Sequence, residues 1–252
     1  MNDKKKQHLK NYEVFAKFYD RMASKVKYQK WGEMIASVAK KYHLKNCECL
    51  EIACGTGNIS AILNRQGFQV TGIDLSQYML KIAKTKVPQA TFIHADIRNF
   101  KMRGNKKFKL AISFYDSLNY LLTAADLYSA FRAVSNNLES GAIFLFDMNS
   151  TEHVEIASTF KPVIYEDPEA YIVIRYGKKR KLWMLVIDFF IKEKNKIAFY
   201  REKHFERGYD EKDVTSLLHR TGFELLDVQK EFKKNENNGQ YLSRLYFIAR
   251  KN

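Results

Sequence analysis

The sequence predicts an α/β fold built on a doubly wound, mostly parallel seven-stranded sheet, with helices ahead of it and an antiparallel β insertion within it. Three observations predict this. Between residues 49 and 148 short apolar runs alternate with stretches of helical period, as in a parallel sheet with helices on both faces. The first apolar run ends in a glycine-rich turn, Gly55-Thr56-Gly57, that leads into a helix. Between residues 170 and 205 three long runs of branched and aromatic residues are separated only by short polar turns, as antiparallel strands are.

Taken in order, residues 12–43 read as two helices. Tyr12, Phe15, Phe18, Tyr19 and Met22, then Trp31, Ile35, Val38 and Tyr42, fall at helical spacing. CLEIAC (49–54) is a strand, and the helix from Asn58 to Gln66 is closed by Gly67. FQVTGID (68–74) is the second strand, and Ser76 is suited to cap a helix over Gln77–Lys86, beyond which Pro88 stands. TFIHAD (91–96) and KLAISF (109–114) are strands, residues 124–138 are helical, and AIFLFDM (142–148) is the fifth strand. AYIVIRY (170–176), LWMLVIDFFI (182–191) and IAFYREKHF (197–205) form the insertion, with turns at 177–181 and 192–196. Asp210, with Asp213 three residues on, suggests a near-capping box for a last helix that Gly222 stops. FELLDVQKEF (223–232) and LSRLYFIAR (242–250) close the sheet.

The chain has 252 residues, enough for one large domain or one domain with an elaboration. Its 46% hydrophobic and 28% charged residues exclude a disordered or fibrous class. No run of about 18 apolar residues is present, so no membrane span is expected. The polar start offers no apolar signal core, so no signal peptide is expected either. Cys47, Cys49 and Cys54 fit neither a disulfide framework nor a zinc site; they read as small buried residues in a reducing cytoplasm. No set of His, Asp and Glu shows metal-ligand spacing on one element, so no metal is expected. Residues 1–45 carry 12 Lys and Arg against 4 Asp and Glu, which is +8 of the chain's net +15. That concentration could attract an anionic partner, but the same helices need an inward aromatic face, so the lysines read as their solvated side.

The chemistry is concentrated in Leu50-Glu51-Ile52-Ala53-Cys54-Gly55-Thr56-Gly57-Asn58, at the junction of the first strand and first helix, where open α/β sheets bind ligands. The glycines permit a tight turn and a close backbone approach to a ligand. Asp74 ends the second strand, where an acid hydrogen-bonds ribose hydroxyls, and Asp96 ends the third. A dinucleotide fingerprint wants a third Gly or Ala where this chain has Ser60. A pyrophosphate on the helix N-terminus would also be repelled by Glu51. A ligand that carries an ammonium group in place of the phosphates welcomes that acid, and S-adenosylmethionine is such a ligand.

With these motifs, E-x-A-x-G-x-G, the acid closing the second strand and Ala95-Asp96-Ile97 after the third, the chain resembles the class I S-adenosylmethionine-dependent methyltransferases. The resemblance implies a Rossmann-like sheet and S-adenosylmethionine as the cofactor. Carried over position by position, Glu51, Ala53, Gly55 and Gly57 form the loop under the methionine portion, alanine being an accepted variant of the family's glycine at 53. Asp74, followed by Leu75, takes the ribose; Asp96 holds the adenine amino group, Ile97 packs on the ring, and Phe114 lines the other side. The segment Tyr12–Asp20, followed by Tyr28 and Trp31, is similar to the helical lid of small-molecule members. There Tyr19 and Trp31 would face the cofactor, and aromatic faces attract a sulfonium cation. The division this implies is a lid (1–45), a cofactor domain (46–150 and 206–252) and a β lobe over the acceptor pocket (151–205).

For the acceptor, the segment after the fourth strand, Phe114-Tyr115-Asp116-Ser117-Leu118-Asn119-Tyr120, lacks the proline motif of base-amine methyltransferases, and no cysteine follows Cys54. Both absences count against nucleic acid. The chain looks most like the glycine and sugar-amine N-methyltransferases, which implies a small-molecule acceptor methylated at nitrogen by in-line displacement. Some of these carry a histidine near the position of Tyr120. Tyr12, Tyr115, Asn119, Tyr120 and Arg207 are the expected pocket residues, with Tyr120 and His204 as candidates for handling a proton. The competing readings are an RNA or protein methyltransferase docking through the basic N-terminal face, a nicotinamide-dependent oxidoreductase, and a non-catalytic cofactor-binding module.

Overall fold

Where apolar runs alternate with helical stretches, strands and helices form in the expected order. A computed structural model describes residues 3–44, 47–194, 196–234 and 241–252. The helices are α1 (Asp3–Met22), α2 (Tyr28–Lys41), α3 (Asn58–Arg65), α4 (Gln77–Lys86), α5 (Ala124–Asn136), α6 (Thr151–Ala157) and α7 (Glu211–Arg220). The strands are β1 (Glu48–Ile52), β2 (Gln69–Asp74), β3 (Thr91–His94), β4 (Phe108–Ser113), β5 (Leu138–Asn149), β6 (Val163–Asp167), β7 (Ala170–Lys179), β8 (Leu182–Glu193), β9 (Lys196–Arg207), β10 (Phe223–Lys234) and β11 (Tyr241–Lys251).

The main sheet has seven strands in the order β10-β11-β5-β4-β1-β2-β3. All its pairs are parallel except those of β11, which runs antiparallel to both β5 and β10. The chain winds outward from β1 to β3 and then returns to β4 on the other side of β1. The strand order therefore reverses between β1 and β4, and their carboxyl ends open a crevice there. One face of the sheet buries Phe144, Phe146 and Phe247 against Leu127, Phe131 and Val134 of α5 and Val214 and Leu218 of α7. The other buries Val70, Leu110, Ile112 and Leu145 against Ile35 of α2 and Ile59 and Leu63 of α3. Cys49 and Cys54 are buried and Cys47 half-buried, all as free thiols.

The insertion is a four-stranded antiparallel sheet, β6-β7-β8-β9. Its inner face, with Ile172, Ile174, Ile187 and Phe189, packs on Phe18 of α1, whose ring lies 5.9 Å from that of Phe189. The first helix is thus held between the lobe and the crevice.

Several elements differ in detail from expectation. Helix α6 and strand β6 were not foreseen. The first spans only two turns, and the second is an edge strand between Pro162 and Pro168. Strand β3 stops at His94, which leaves Asp96 in the following turn. Ser76 caps α4 by accepting from the Met79 amide at 3.3 Å. Asp210 stands at the N-cap of α7 without using its side chain; its carbonyl accepts from the Asp213 amide at 3.0 Å instead. Asn195, in the turn expected at 192–196, and the boundary expected at 45/46 lie outside the described residues, as do the side chains of the first 11 residues. On α1 and α2, Lys17, Lys30, Lys40 and Lys41 are exposed, as the amphipathic reading expects. Among the described residues no helix is long and apolar enough to cross a membrane.

Candidate active site

The β1–α3 turn is built around three residues in the left-handed region: Ala53 (φ 54°), Gly55 (φ 54°) and Gly57 (φ 78°). Gly55 has open space where a Cβ would stand, so its backbone faces the crevice. Alanine at 53 is accepted, but at a cost, because a Cβ in this region crowds the following carbonyl. Ala53→Gly is expected to raise stability by about 1 kcal/mol, read as a higher denaturation midpoint. An unchanged or lower midpoint would show that the turn carries no such strain.

Asp74 organises the turn from the tip of β2. Its Oδ2 accepts from the Gly55 amide and its Oδ1 from the Ser76 amide, each at 2.8 Å. Burial raises its carboxyl above the usual range against the pull of those bonds. Glu51 is buried on β1 and accepts from the Ser60 hydroxyl. Burial is the main cause that pushes its carboxyl up to about 8, with Asp74 adding to the rise and Ser60 and Lys86 opposing it. The folded chain therefore holds a proton on Glu51 that the unfolded chain releases above its ordinary value of 4.5. Stability from this group is present at low pH and falls as pH rises toward about 8. Glu51→Gln should gain on the wild type as pH rises through that window, measured by denaturation at mildly acidic and mildly alkaline pH. A difference independent of pH would show that Glu51 is ionised in the fold.

Above the turn, Tyr19, Tyr28, Phe114, Tyr115 and Ser117 close a cavity of about 40 Å³ over Glu51, Ala53, Gly55 and Thr56. That admits a few waters and is far below the roughly 300–1,000 Å³ of a ligand pocket. The cover is α1, fastened to the turn by Asp20. The Asp20 carboxylate accepts from Thr56 Oγ1 at 2.7 Å and Asn58 Nδ2 at 3.1 Å, and pairs with Lys86 Nζ at 2.7 Å. Burial works to raise the Asp20 carboxyl, but these donors outweigh it and hold it below the usual range. Sequence reasoning read the Tyr19-Asp20 pair for its tyrosine and missed the fastening made by its acid.

The structure separates the expected residues into groups. Tyr19, Glu51, Ala53, Gly55, Phe114 and Tyr115 line the cavity. Gly57 is not among the lining residues, its missing Cβ leaving room for Ala83 and Phe92, and Leu75 is exposed beside Asp74. Asp96 is gripped by Arg98, whose NH2 stands 2.6 Å from Oδ2 and whose NH1 reaches Asp126 at 3.0 Å. Ile97 packs on the main core. Trp31 stands one layer behind the cavity, its ring 5.9 Å from Phe114 and 5.5 Å from Tyr115, with Nε1 donating to Tyr246 Oη at 3.3 Å. It supports the lining and does not form it. Asn119 is a staple: its Nδ2 donates to the carbonyls of Asn149 and Arg207 and its Oδ1 accepts from the Asn149 amide, so its polar atoms are spent on backbone. Arg207 lies over Tyr209 and toward the Leu122 carbonyl, away from the pocket group.

The remaining residues converge beyond the cavity. Tyr12 lies 5.3 Å from the His204 ring and 6.4 Å from that of Tyr120, and Tyr120 Oη stands 3.4 Å from His204 Nδ1. His204 Nε2 lies 3.3 Å from Glu202 Oε2. Burial raises both tyrosine hydroxyls well above their usual range. Beside them stands an acidic group that sequence reasoning missed. Tyr115 and Asp116 both have positive φ, a strained turn after β4. Arg244 of β11 holds Asp116 at 2.8 Å and also pairs with the fully buried Asp147. Glu206 is buried next to Asn149 Nδ2 at 3.5 Å. Burial and the nearby Asp116 raise its carboxyl well above the usual range. No local signal marks Arg244 or Glu206, since each meets its neighbours only through the fold.

These residues fit S-adenosylmethionine. An open glycine backbone, an acid at the β2 tip, an exposed Leu75 that a ring could cover, and the buried Tyr28 Oη, which has no partner in hydrogen-bonding geometry, all surround one crevice.

Comparison with known proteins agrees. The family described as methyltransferase domain matches residues 49–141. The chain is 32% identical over 249 residues to YqeM of Bacillus subtilis (strain 168), named as a methyltransferase, covering 95% of this chain and 97% of that one. It is 28% identical over 113 residues, 45% of this chain and 47% of the other, to a dTDP-3-amino-3,4,6-trideoxy-α-D-glucopyranose N,N-dimethyltransferase of Streptomyces venezuelae. An S-adenosylmethionine-dependent methyltransferase of Clostridium acetobutylicum ATCC 824 superposes with a TM-score of 0.79 at 29% identity, over 95% of this chain and 98% of that one. The crevice at the strand reversal, its acids and its relatives lead to one statement: the chain belongs to the S-adenosylmethionine-dependent methyltransferases.

Proposed function

We propose that this enzyme methylates the nitrogen of a small molecule held between α1, the segment after β4 and the inner face of the lobe. The observation that carries the reading is the character of that space. In this closed form the rings of Tyr12, Phe15 and Tyr120 pack on one another and on His204, Glu202 and Glu206 are buried alongside, and Arg244 is already committed to Asp116 and Asp147, so the acceptor would enter as α1 lifts. Such surroundings favour an amine and oppose a carboxylate or a phosphate backbone. The amino-sugar dimethyltransferase among the relatives supports a nitrogen acceptor.

When bound, the cofactor supplies a methyl group already activated on a sulfonium sulfur. The chain's part is to place it and to keep water out. Asp74 would accept from the ribose hydroxyls, the Gly55 backbone would lie under the methionine portion, and Leu75 and Ile97 would flank the adenine. Asp96, whose oxygens accept from the Arg98 amide and guanidinium, would exchange one of those bonds for the adenine amino group. Tyr19 and Phe114 would present ring faces to the sulfonium. Residues 1–45 would act as the lid, opening at the Asp20 fastening, and residues 151–205 as the cover of the acceptor pocket.

The test is methyl transfer from labelled S-adenosylmethionine to a panel of small amines, including amino-sugar nucleotides, beside carboxylic acids and total RNA. The expected label is in the amine fraction. Label in RNA or in the carboxylic acids would overturn this reading.

A further inference from the structure

Strand β9 presents Glu202, His204 and Glu206 on its inward face at every second position, each at most 3% exposed. On an inner sheet face that elsewhere carries isoleucine and phenylalanine, such a polar stripe is costly unless something pairs with it. The pairing within the chain is incomplete. Glu202 Oε1 accepts from the Phe15 amide at 3.0 Å, but Oε2 has no hydrogen bond, and His204 Nε2 faces it at 3.3 Å without hydrogen-bonding geometry. Asn149, whose amide nitrogen serves Glu206, has an unpartnered buried oxygen. Two unpartnered atoms therefore lie on this stripe, under the part of α1 that carries Tyr12 and Phe15, and a third, Asn149 Oδ1, belongs to the residue that serves Glu206.

We propose that Glu202, His204 and Glu206 form the acceptor subsite, in which the oxygens of the two buried carboxyl groups accept from the N–H bonds of a small amine in its ammonium form and His204 Nε2 takes its proton. This rests on the methyltransferase reading above and names the residues that would make it work. In the proposed subsite His204 carries its proton on Nδ1, which faces Tyr120 Oη at 3.4 Å, and presents the Nε2 lone pair to the amine. One ammonium N–H bond breaks, its electron pair stays on the nitrogen, and the proton forms a new N–H bond at Nε2. The positive charge then sits on an imidazolium beside Glu202. The freed lone pair forms the carbon–nitrogen bond as the methyl–sulfur bond breaks with its pair on sulfur. The imidazolium releases its proton to water when α1 lifts. A histidine on the lobe thus does what the residue at position 120, a tyrosine here, does not do alone.

The experiment uses full-length protein with isotope-labelled histidine, the His204 resonance being assigned through His204→Gln. Binding of S-adenosylhomocysteine is measured first by calorimetry. Ethylamine, the minimal fragment of any alkylamine acceptor, is then titrated into the saturated complex, with ethanol and acetate as controls. The expected result is a saturable shift of the His204 resonance with ethylamine only, weakened about tenfold or more by Glu202→Gln and by Glu206→Gln. If S-adenosylhomocysteine binds but ethylamine leaves His204 unmoved, or moves it equally in both variants, the subsite is wrong and the methyltransferase reading stands. If S-adenosylhomocysteine does not bind, both fall.

Discussion

Arg244→Met is expected to destabilise the protein by about 3–5 kcal/mol, because it leaves charges buried without their counter-ion. Asp147 is fully buried and Asp116 nearly so, and both depend on the one guanidinium, which is itself mostly covered. The same change frees the strained Tyr115-Asp116 turn, which Arg244 holds from 128 residues away. For a chain of this length the fall in Tm is on the order of 10 °C. Adding Asp147→Asn should restore part of the loss, since it removes one of the two uncompensated carboxylates. Thermal or denaturant unfolding of both variants reads this directly. A loss below about 1 kcal/mol in the single variant would place the guanidinium in the class of exposed pairs and refute the buried cluster.

Asp74→Ala should weaken S-adenosylhomocysteine binding about 10- to 200-fold, the equivalent of one charge-assisted hydrogen bond to the ribose. The fall should lie toward the upper end. The same carboxylate also orders the Gly55 and Ser76 amides, and the variant leaves both donors without an acceptor. Calorimetry gives the affinity, and circular dichroism confirms that the rest of the fold persists. Affinity equal to the wild type would remove Asp74 from the cofactor site.

The two largest effects differ in how legible they were. Asp74 was visible because its place follows from local chain geometry: a strand that ends in an acid, just after a strand that ends in a glycine turn. Arg244 was not visible. It lies in a strand whose sequence, Leu242-Ser243-Arg244-Leu245, gives no sign that it meets Asp116 and Asp147. Asp20 is intermediate, since its position beside Tyr19 was read but its reach to Thr56, Asn58 and Lys86 depends on how α1 docks.

Strand β9 shows the division most clearly. Its alternation alone would turn Ile197 and Phe199 toward the core and leave Glu202, His204 and Glu206 in water. The structure does the reverse: Ile197 is 68% and Phe199 52% exposed, while the three polar residues are buried. Period-two alternation announces two faces but does not say which is covered. That choice was made by β7 and β8, whose Ile172, Ile174, Ile187 and Phe189 offer the larger apolar surface to α1. Register then carried β9 along with them. The α/β order, the glycine turn and Asp74 at the tip of β2 were legible in the chain, because each depends on neighbours a few residues away. The tertiary structure alone decided which face of the lobe closes on the crevice, which acids share Arg244, and what α1 covers. Each of these is settled by competition between surfaces far apart in the chain.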